Sequence, residues 1–174
     1  MWLSGQKWIK VGETNSTRVL LTVFRGIQAL QLDDKGRMAI PARYREILRN
    51  QAAGQLILTI DPFESCLLLY SLPQWQILEQ KLIALSSLDA STRRLQRLLI
   101  GHAAELMLDN QGRLLLPALL RQHATLEKQI ILLGQGNKFE LWSLEHWEEK
   151  RQIWLKPEPG ILREAPPHLR ELSL

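Results

Sequence analysis

A sixteen-residue segment of this chain has a second, half-identical copy. Leu30-Gln31-Leu32-Asp33-Asp34-Lys35-Gly36-Arg37-Met38-Ala39-Ile40-Pro41-Ala42-Arg43-Tyr44-Arg45 lies over Leu106-Met107-Leu108-Asp109-Asn110-Gln111-Gly112-Arg113-Leu114-Leu115-Leu116-Pro117-Ala118-Leu119-Leu120-Arg121 at a constant offset of 76, with eight of sixteen positions identical. Chance identity is roughly one position in sixteen, so the segment is duplicated. After a four-residue shortening, Cys66 to Leu72 lies over Lys138 to Leu144, and Trp75 over Trp147. A whole unit is therefore repeated. Two copies are too few for a solenoid, which predicts an internal pseudo-dimer that shares one core.

Each unit reads as β-rich with helices, so the expected class is α+β with an internal pseudo-two-fold repeat. Ile27 to Leu32 is a short apolar strand. Asp33-Asp34-Lys35-Gly36 has turn chemistry, with Gly36 free to take positive φ. Arg37 to Ile40 is a short return strand. Pro41 suits the first position of a basic helix over 41–49, whose Tyr44, Ile47 and Leu48 face the core. Leu56 to Ile60 and Cys66 to Tyr70 are strands joined through Asp61-Pro62. Pro73 opens a helix with Trp75, Leu78, Leu82 and Leu85 at helical spacing. A linker helix at Ser91 to Ile100 sets Arg93, Arg94 and Arg97 against Leu95, Leu98 and Leu99. The second unit repeats the order, with a hairpin turn at Gly134-Gln135-Gly136-Asn137 and a last helix from about Leu144 to Leu155. The expected organisation is an extension over 1–22, a first unit over 23–86, the linker helix within 87–100, a second unit over 101–155, and a tail over 156–174 with a short helix after Pro167.

Composition narrows the function. Of 174 residues, 45% are hydrophobic and 23% charged, ordinary globular usage. The single cysteine, Cys66, excludes an intrachain disulfide and a cysteine-based zinc cage, and points to a reducing, cytoplasmic compartment. No run of about 18 apolar residues is present to span a membrane, and the first residues lack a signal-peptide pattern. Residues 23–100 carry ten Lys/Arg against seven Asp/Glu, whereas residues 101–155 carry six against seven. The basic half leans toward a polyanionic partner. Nothing points to an enzyme, metal or cofactor. Cys66 opens an apolar strand, where an inert thiol is expected rather than a nucleophile served by His102, His123 or His146. No nucleophile elbow, paired-histidine zinc motif or phosphate loop occurs.

Five stretches then carry a resemblance. Phe24-Arg25-Gly26 and Leu32-Asp33-x-Lys35-Gly36-Arg37-x-x-Ile40-Pro41-x-Arg43-Tyr44-Arg45 resemble the opening of the MraZ family of bacterial transcriptional regulators. Gly101-His102-Ala103, Asp109-x-x-Gly112-Arg113 and Gly134-Gln135-x-Asn137-Lys138-Phe139-Glu140-Leu141-Trp142 are similar to its second half. Coverage runs from about residue 23 to residue 155, and the tail ending Leu172-Ser173-Leu174 is similar too. The resemblance implies a duplicated swapped-hairpin fold of the AbrB/SpoVT type, and assembly into a ring-shaped homo-oligomer. It also implies nucleoid-associated binding of double-stranded DNA at direct G-rich promoter repeats, usually as a repressor of the division and cell-wall gene cluster. Family members begin with Met in place of Val23. Residues 1–22 are therefore expected to be a mis-called start, with Val23 read from a GTG codon; the alternative is an added strand at Arg18 to Thr22.

Site roles divide between the copies. Taken alone, Asp33 to Arg37 is a β-turn in which Asp33 bonds its own backbone and pairs with Arg37. With the repeat and the resemblance, Lys35 and Arg37 become DNA-reading residues. Arg presents two parallel donors to guanine O6 and N7, and Lys reaches the same edge or a phosphate. Asp33 orients Arg37, and Gly36 makes the turn. Arg25, Arg43 and Arg45 are phosphate contacts or solvated charge. In the second copy, Lys35 becomes Gln111, so Asp109, Gly112 and Arg113 are expected to be structural or to serve assembly. Arg93, Arg94 and Arg97 are expected to be solvated or at a subunit interface. The competing reading is a ring that binds a partner protein, such as an rRNA methyltransferase, without specific DNA recognition.

Overall fold

The computed structural model describes residues 23–156. The expected extension over 1–22, with its alternative strand at Arg18 to Thr22, lies outside the described residues, as does the short helix after Pro167. In chain order the elements are β1 (Phe24–Gln31), β2 (Arg37–Ala39), α1 (Ala42–Ala52), β3 (Gln55–Ile60), β4 (Leu67–Ser71), α2 (Leu72–Ala84), α3 (Ala90–Leu99), β5 (Ala104–Met107), β6 (Arg113–Leu115), α4 (Ala118–His123), β7 (Gln129–Gly136), β8 (Lys138–Ser143) and α5 (Leu144–Trp154). The fold is α+β, built from the two repeated units.

The strands pair across the repeat. A six-stranded sheet has the order β1-β7-β8-β4-β3-β5, and β2 and β6 form a separate two-stranded ribbon. All pairings are antiparallel. Exchanging each strand for its repeat counterpart returns the same sheet order, so the duplication is a pseudo-two-fold axis. Leu68 faces Glu140 where β4 meets β8, and Met38 faces Leu114 in the ribbon. Each of these pairs joins counterparts, and the axis passes through both. At the flanks, Leu30 faces Ile130 and its counterpart Leu106 faces Leu56. The repeat offset is thus 76 at β1 and β5, 74 at β3 and β7, and 72 at β4 and β8. The shortening is taken in two steps, around the shorter α4 and in the tight β7–β8 turn.

The return strand pairs across the repeat, as the expected swapped hairpin does; toward its own unit's first strand a single bridge, Leu32 to Met38, closes the turn locally. β1 instead pairs with β7, and β2 with β6. Three residues of β2 offer few ladder bonds to their own unit, while crossing to the other unit buries Met38 and Leu114 completely. Smaller differences follow from local geometry. Pro41 and Pro117 are helix caps with extended ψ rather than first helical residues. α2 ends at Ala84, and Leu85 turns out of the helix and is exposed. Only Gly136 and Asn137 separate the paired Gln135 and Lys138, and Gly136 takes φ +73 at the first turn position, as a two-residue hairpin of the II′ kind requires.

Alternation along the central strands feeds two cores. Leu56, Leu58, Leu67, Leu69, Ile130, Leu132, Phe139 and Leu141 point to the side of the ribbon, α1 and α4. Ile57, Leu68, Tyr70, Ile131 and Trp142 point to α2, α3 and α5. Burial on both faces explains why these strands read as unbroken apolar runs. Glu140 is the exception, a buried carboxyl opposite Leu68. The Trp142 Nε1–H donates to it at 3.0 Å, and burial pushes its pKa up. On the ribbon side, Phe139 packs between Phe24 and Tyr44, with ring centroids 4.1 and 4.9 Å away. This aromatic cluster joins the two units, so Phe139→Ala should destabilise the whole molecule by about 3–5 kcal/mol. Urea unfolding followed by circular dichroism should show one transition moved to lower urea, not two separate ones.

Candidate nucleic-acid interface

Each turn is built around one carboxylate. Asp33 Oδ1 accepts the backbone N–H groups of Lys35 at 3.0 Å and Arg37 at 2.9 Å, and Oδ2 accepts Arg37 Nε at 2.7 Å. The Gly36 N–H closes the turn on the Asp33 carbonyl at 2.8 Å, with Gly36 at φ +78. The second copy repeats every bond: Asp109 accepts Gln111 N, Arg113 N and Arg113 Nε at 2.9, 2.8 and 2.8 Å. The backbone N–H of Arg37, and in the second turn that of Arg113, is the main reason each carboxyl is held below the usual range. Hydrogen bonds to the charged form stabilise it, so both turns keep their anionic anchor down through mildly acidic pH.

Asp33 bonds the backbone of its own turn and pairs with Arg37. Arg37 is held through Nε, and among the described residues its Nη edge has no other partner. A guanidinium fixed at one nitrogen and open at its outer edge can form two parallel bonds to a planar pair of acceptors. Lys35 is exposed at the tip, its backbone N–H tied to Asp33 and its ammonium projecting on a flexible stem.

The ribbon sets the two turns at its opposite ends. With Met38 and Leu114 pointing inward, period-two alternation puts Arg37, Ala39, Arg113 and Leu115 on the outer face. The turns are interlocked, because Leu116 N–H donates to Gly36 O at 3.0 Å and Ile40 N–H to Gly112 O at 2.9 Å. The two arginines are two residues apart along the ribbon, about 7 Å. Outward chemistry differs between the halves. Lys35, Ala39 and Arg43 of the first stand where the second has Gln111, Leu115 and Leu119, and Leu115 and Leu119 are 58% and 69% exposed.

The other basic candidates separate. Arg25 and Arg43 are brought together where β1 meets α1. Tyr44 Oη donates to the Arg25 carbonyl at 2.5 Å, Arg43 Nη2 to the same oxygen at 3.4 Å, and the Arg43 guanidinium lies over the Tyr44 ring. Both side chains are exposed. Arg45 is different: half-buried, it donates Nε to Ile40 O at 2.6 Å and packs under Gly112 of the opposite turn. Its counterpart Arg121 bonds Leu116 O at 3.1 Å and packs under Gly36. Arg93, Arg94 and Arg97 are exposed along α3. Sequence reasoning missed Arg49, whose Nη2 donates to the Asp109 and Asn110 carbonyls at 3.2 and 3.1 Å. Thr125 stands at its counterpart position, so among the described residues only the second turn has this arginine clamp. Cys66 is fully buried, and burial pushes its thiol pKa far up, leaving an inert thiol. Among the described residues no group of three or more His, Cys, Asp or Glu side chains could hold a metal, and no helix is long and apolar enough to cross a membrane.

Fold and turns together define a duplicated swapped-hairpin protein carrying two carboxylate-anchored Asp-x-x-x-Arg turns. Residues 23–98 and 99–153 each match the family described as "MraZ protein, putative antitoxin-like". The chain belongs to the MraZ family. It is 50% identical over 152 residues to a protein of Legionella pneumophila (strain Corby), 51% to one of Coxiella burnetii (strain RSA 493 / Nine Mile phase I), and 49% to one of Halorhodospira halophila. Each alignment covers 87% of this chain and all of the relative, and each relative is named "Transcriptional regulator MraZ".

The interlock makes a sharp contrast among glycines. A Cβ on Gly112 would sit 2.4 Å from Arg45 Cδ and Nε, whereas one on Gly136 meets nothing within 4 Å. Gly136→Ala should cost about 1–2 kcal/mol, from positive φ alone. Gly112→Ala should cost about 1 kcal/mol more, because Arg45 must leave Ile40. Chemical denaturation of the two variants checks the order.

Proposed function

We propose that this chain is a transcriptional regulator that binds double-stranded DNA at direct promoter repeats and represses the division and cell-wall gene cluster. The observation that carries the reading is Arg37, fixed through Nε by Asp33 on the outer face of a β-ribbon and flanked by Lys35. A two-stranded ribbon is narrow enough to enter the major groove, where Arg reads guanine O6 and N7. Lys35 takes a neighbouring base edge or a phosphate. Arg25 and Arg43 contact phosphates and set the register. Arg45 acts from beneath, as a support for the turns. The printed name of the relatives agrees with this reading, which would place the protein on the nucleoid.

In this proposal the second half serves assembly. β1 and β5 are the two edges of the sheet, and open edges need cover. The second half exposes Met107, Leu115 and Leu119 where the first carries Gln31, Ala39 and Arg43. Unlike faces joined head to tail close into a ring when the rotation permits. A ring presents several first turns at fixed spacing, so the second DNA contact is intramolecular and apparent affinity rises by about 10²–10⁴.

Two outcomes are expected. Arg37→Ala should lose about 1–3 kcal/mol per engaged base contact and relax base preference. Arg113→Ala should alter assembly or stability more than base preference; equal loss of specificity in both, with assembly intact, would contradict the division of labour. In a competition assay with the protein's own upstream DNA, duplexes with two repeats about one helical turn apart should bind far more tightly than one-repeat duplexes. Inserting about 5 base pairs, half a turn, should remove most of the gain, and equal affinity for all three duplexes would end the multivalent reading.

A further inference from the structure

The helical side of the sheet breaks the pseudo-symmetry. α3 covers the first half there. Its Leu99 is buried with Leu95 and Ile100 beside it, Thr59 Oγ1 donates to the Leu99 carbonyl at 2.7 Å, and Gln96 Nε2 donates to the Leu82 carbonyl at 2.8 Å. The axis carries this seat onto the second half: Thr59 maps to Leu133, Tyr70 to Trp142, Trp75 to Trp147 and Leu82 to Trp154. Those four residues line a cavity of about 470 Å³ beside β7, β8 and α5. No described residue stands there as α3 stands in the first half, and Trp154 is 50% exposed.

The sequence beyond residue 156 holds a match for the missing cover. Arg94-Leu95-Gln96-Arg97-Leu98-Leu99-Ile100 lies over His168-Leu169-Arg170-Glu171-Leu172-Ser173-Leu174 at an offset of 74. Of the α3 residues in the helical-side core, Leu95 recurs as Leu169, Ile100 is replaced by the equally apolar Leu174 and Leu99 by Ser173, while Leu98, which packs toward the ribbon-side core, recurs as Leu172. The connection is long enough. Leu82 and Leu95 are 13 residues apart, and their counterparts Trp154 and Leu169 are 15 apart. We propose that residues 169–174 of the same chain dock in the tryptophan-lined cavity and complete the second half as α3 completes the first. Covering three tryptophans with Leu169 and Leu174 removes apolar surface from water, a favourable exchange at roughly 25 cal/mol per Å².

A disulfide trap tests this on the full-length protein. Thr59 touches the carbonyl of Leu99, so their counterparts, replaced as Leu133→Cys and Ser173→Cys in a Cys66→Ala background, lie within disulfide reach. Oxidation should give a 133–173 link within one chain by peptide mapping. A Glu145→Cys, Ser173→Cys pair should give none. Mixing isotope-labelled and unlabelled chains identifies the occupant: links found only between chains would assign the cavity to a second copy's tail and overturn the proposal, as would no link. Without engineered cysteines, Leu169→Asp with Leu172→Asp should shift tryptophan emission to the red and increase acrylamide quenching. Unchanged emission and quenching would also overturn it.

Discussion

Everything in this molecule hangs on strands that pair across the repeat. Within its own unit β2 has only the local Leu32–Met38 bridge among the described residues. Met38 and Leu114 each reach full burial only because the other unit supplies the opposite strand. The same exchange fixes the turns, since Ile40 and Leu116 each donate to the glycine of the opposite turn. Arg45 and Arg121 then occupy the space beneath those glycines, which a Cβ would fill. Each turn is bonded within itself through its aspartate, and the other unit braces it through the ribbon and the arginine beneath its glycine.

A symmetric frame carries asymmetric chemistry. Both carboxylates anchor their arginines with nearly equal distances, so the turn scaffold is common to the two halves. What differs is what surrounds it. The first turn has Lys35 at its tip and Arg43 nearby, and among the described residues no arginine bonds its carbonyls as Arg49 bonds those of the second. The second is held by Arg49 and ringed by exposed Leu115 and Leu119. In the proposed reading, duplication separates two demands that conflict in one surface: a cationic, accessible edge for a polyanion, and an apolar face for protein contact.

Much of this was legible in the residues. The order of strands, turns and helices followed from apolar alternation and from Gly36, Gly112 and the two prolines. The Asp33–Arg37 pair followed from turn chemistry, because a carboxylate two to four residues from its partners reaches them wherever the turn sits in the fold. Strand partners were not legible. A three-residue strand such as Arg37–Ala39 fits its own hairpin or its counterpart equally well, and burial of Met38 decides between them. The roles of Arg45 and Arg49 were hidden for a related reason. Arg49 sits at an ordinary exposed helix position, and its acceptors are 60 and 61 residues away. Leu85 kept helical spacing, but the helix stopped one residue before it.

The central claim is that Arg37, held through Nε by Asp33, reads guanine in the major groove. The most direct measurement compares natural repeats with repeats in which guanine N7 is replaced by carbon, which removes one of the two acceptors and leaves base pairing intact. The account predicts that the protein loses about 1–3 kcal/mol for each guanine engaged, and that Arg37→Ala binds both duplexes equally. Equal affinity of the unmodified protein for both duplexes would contradict it.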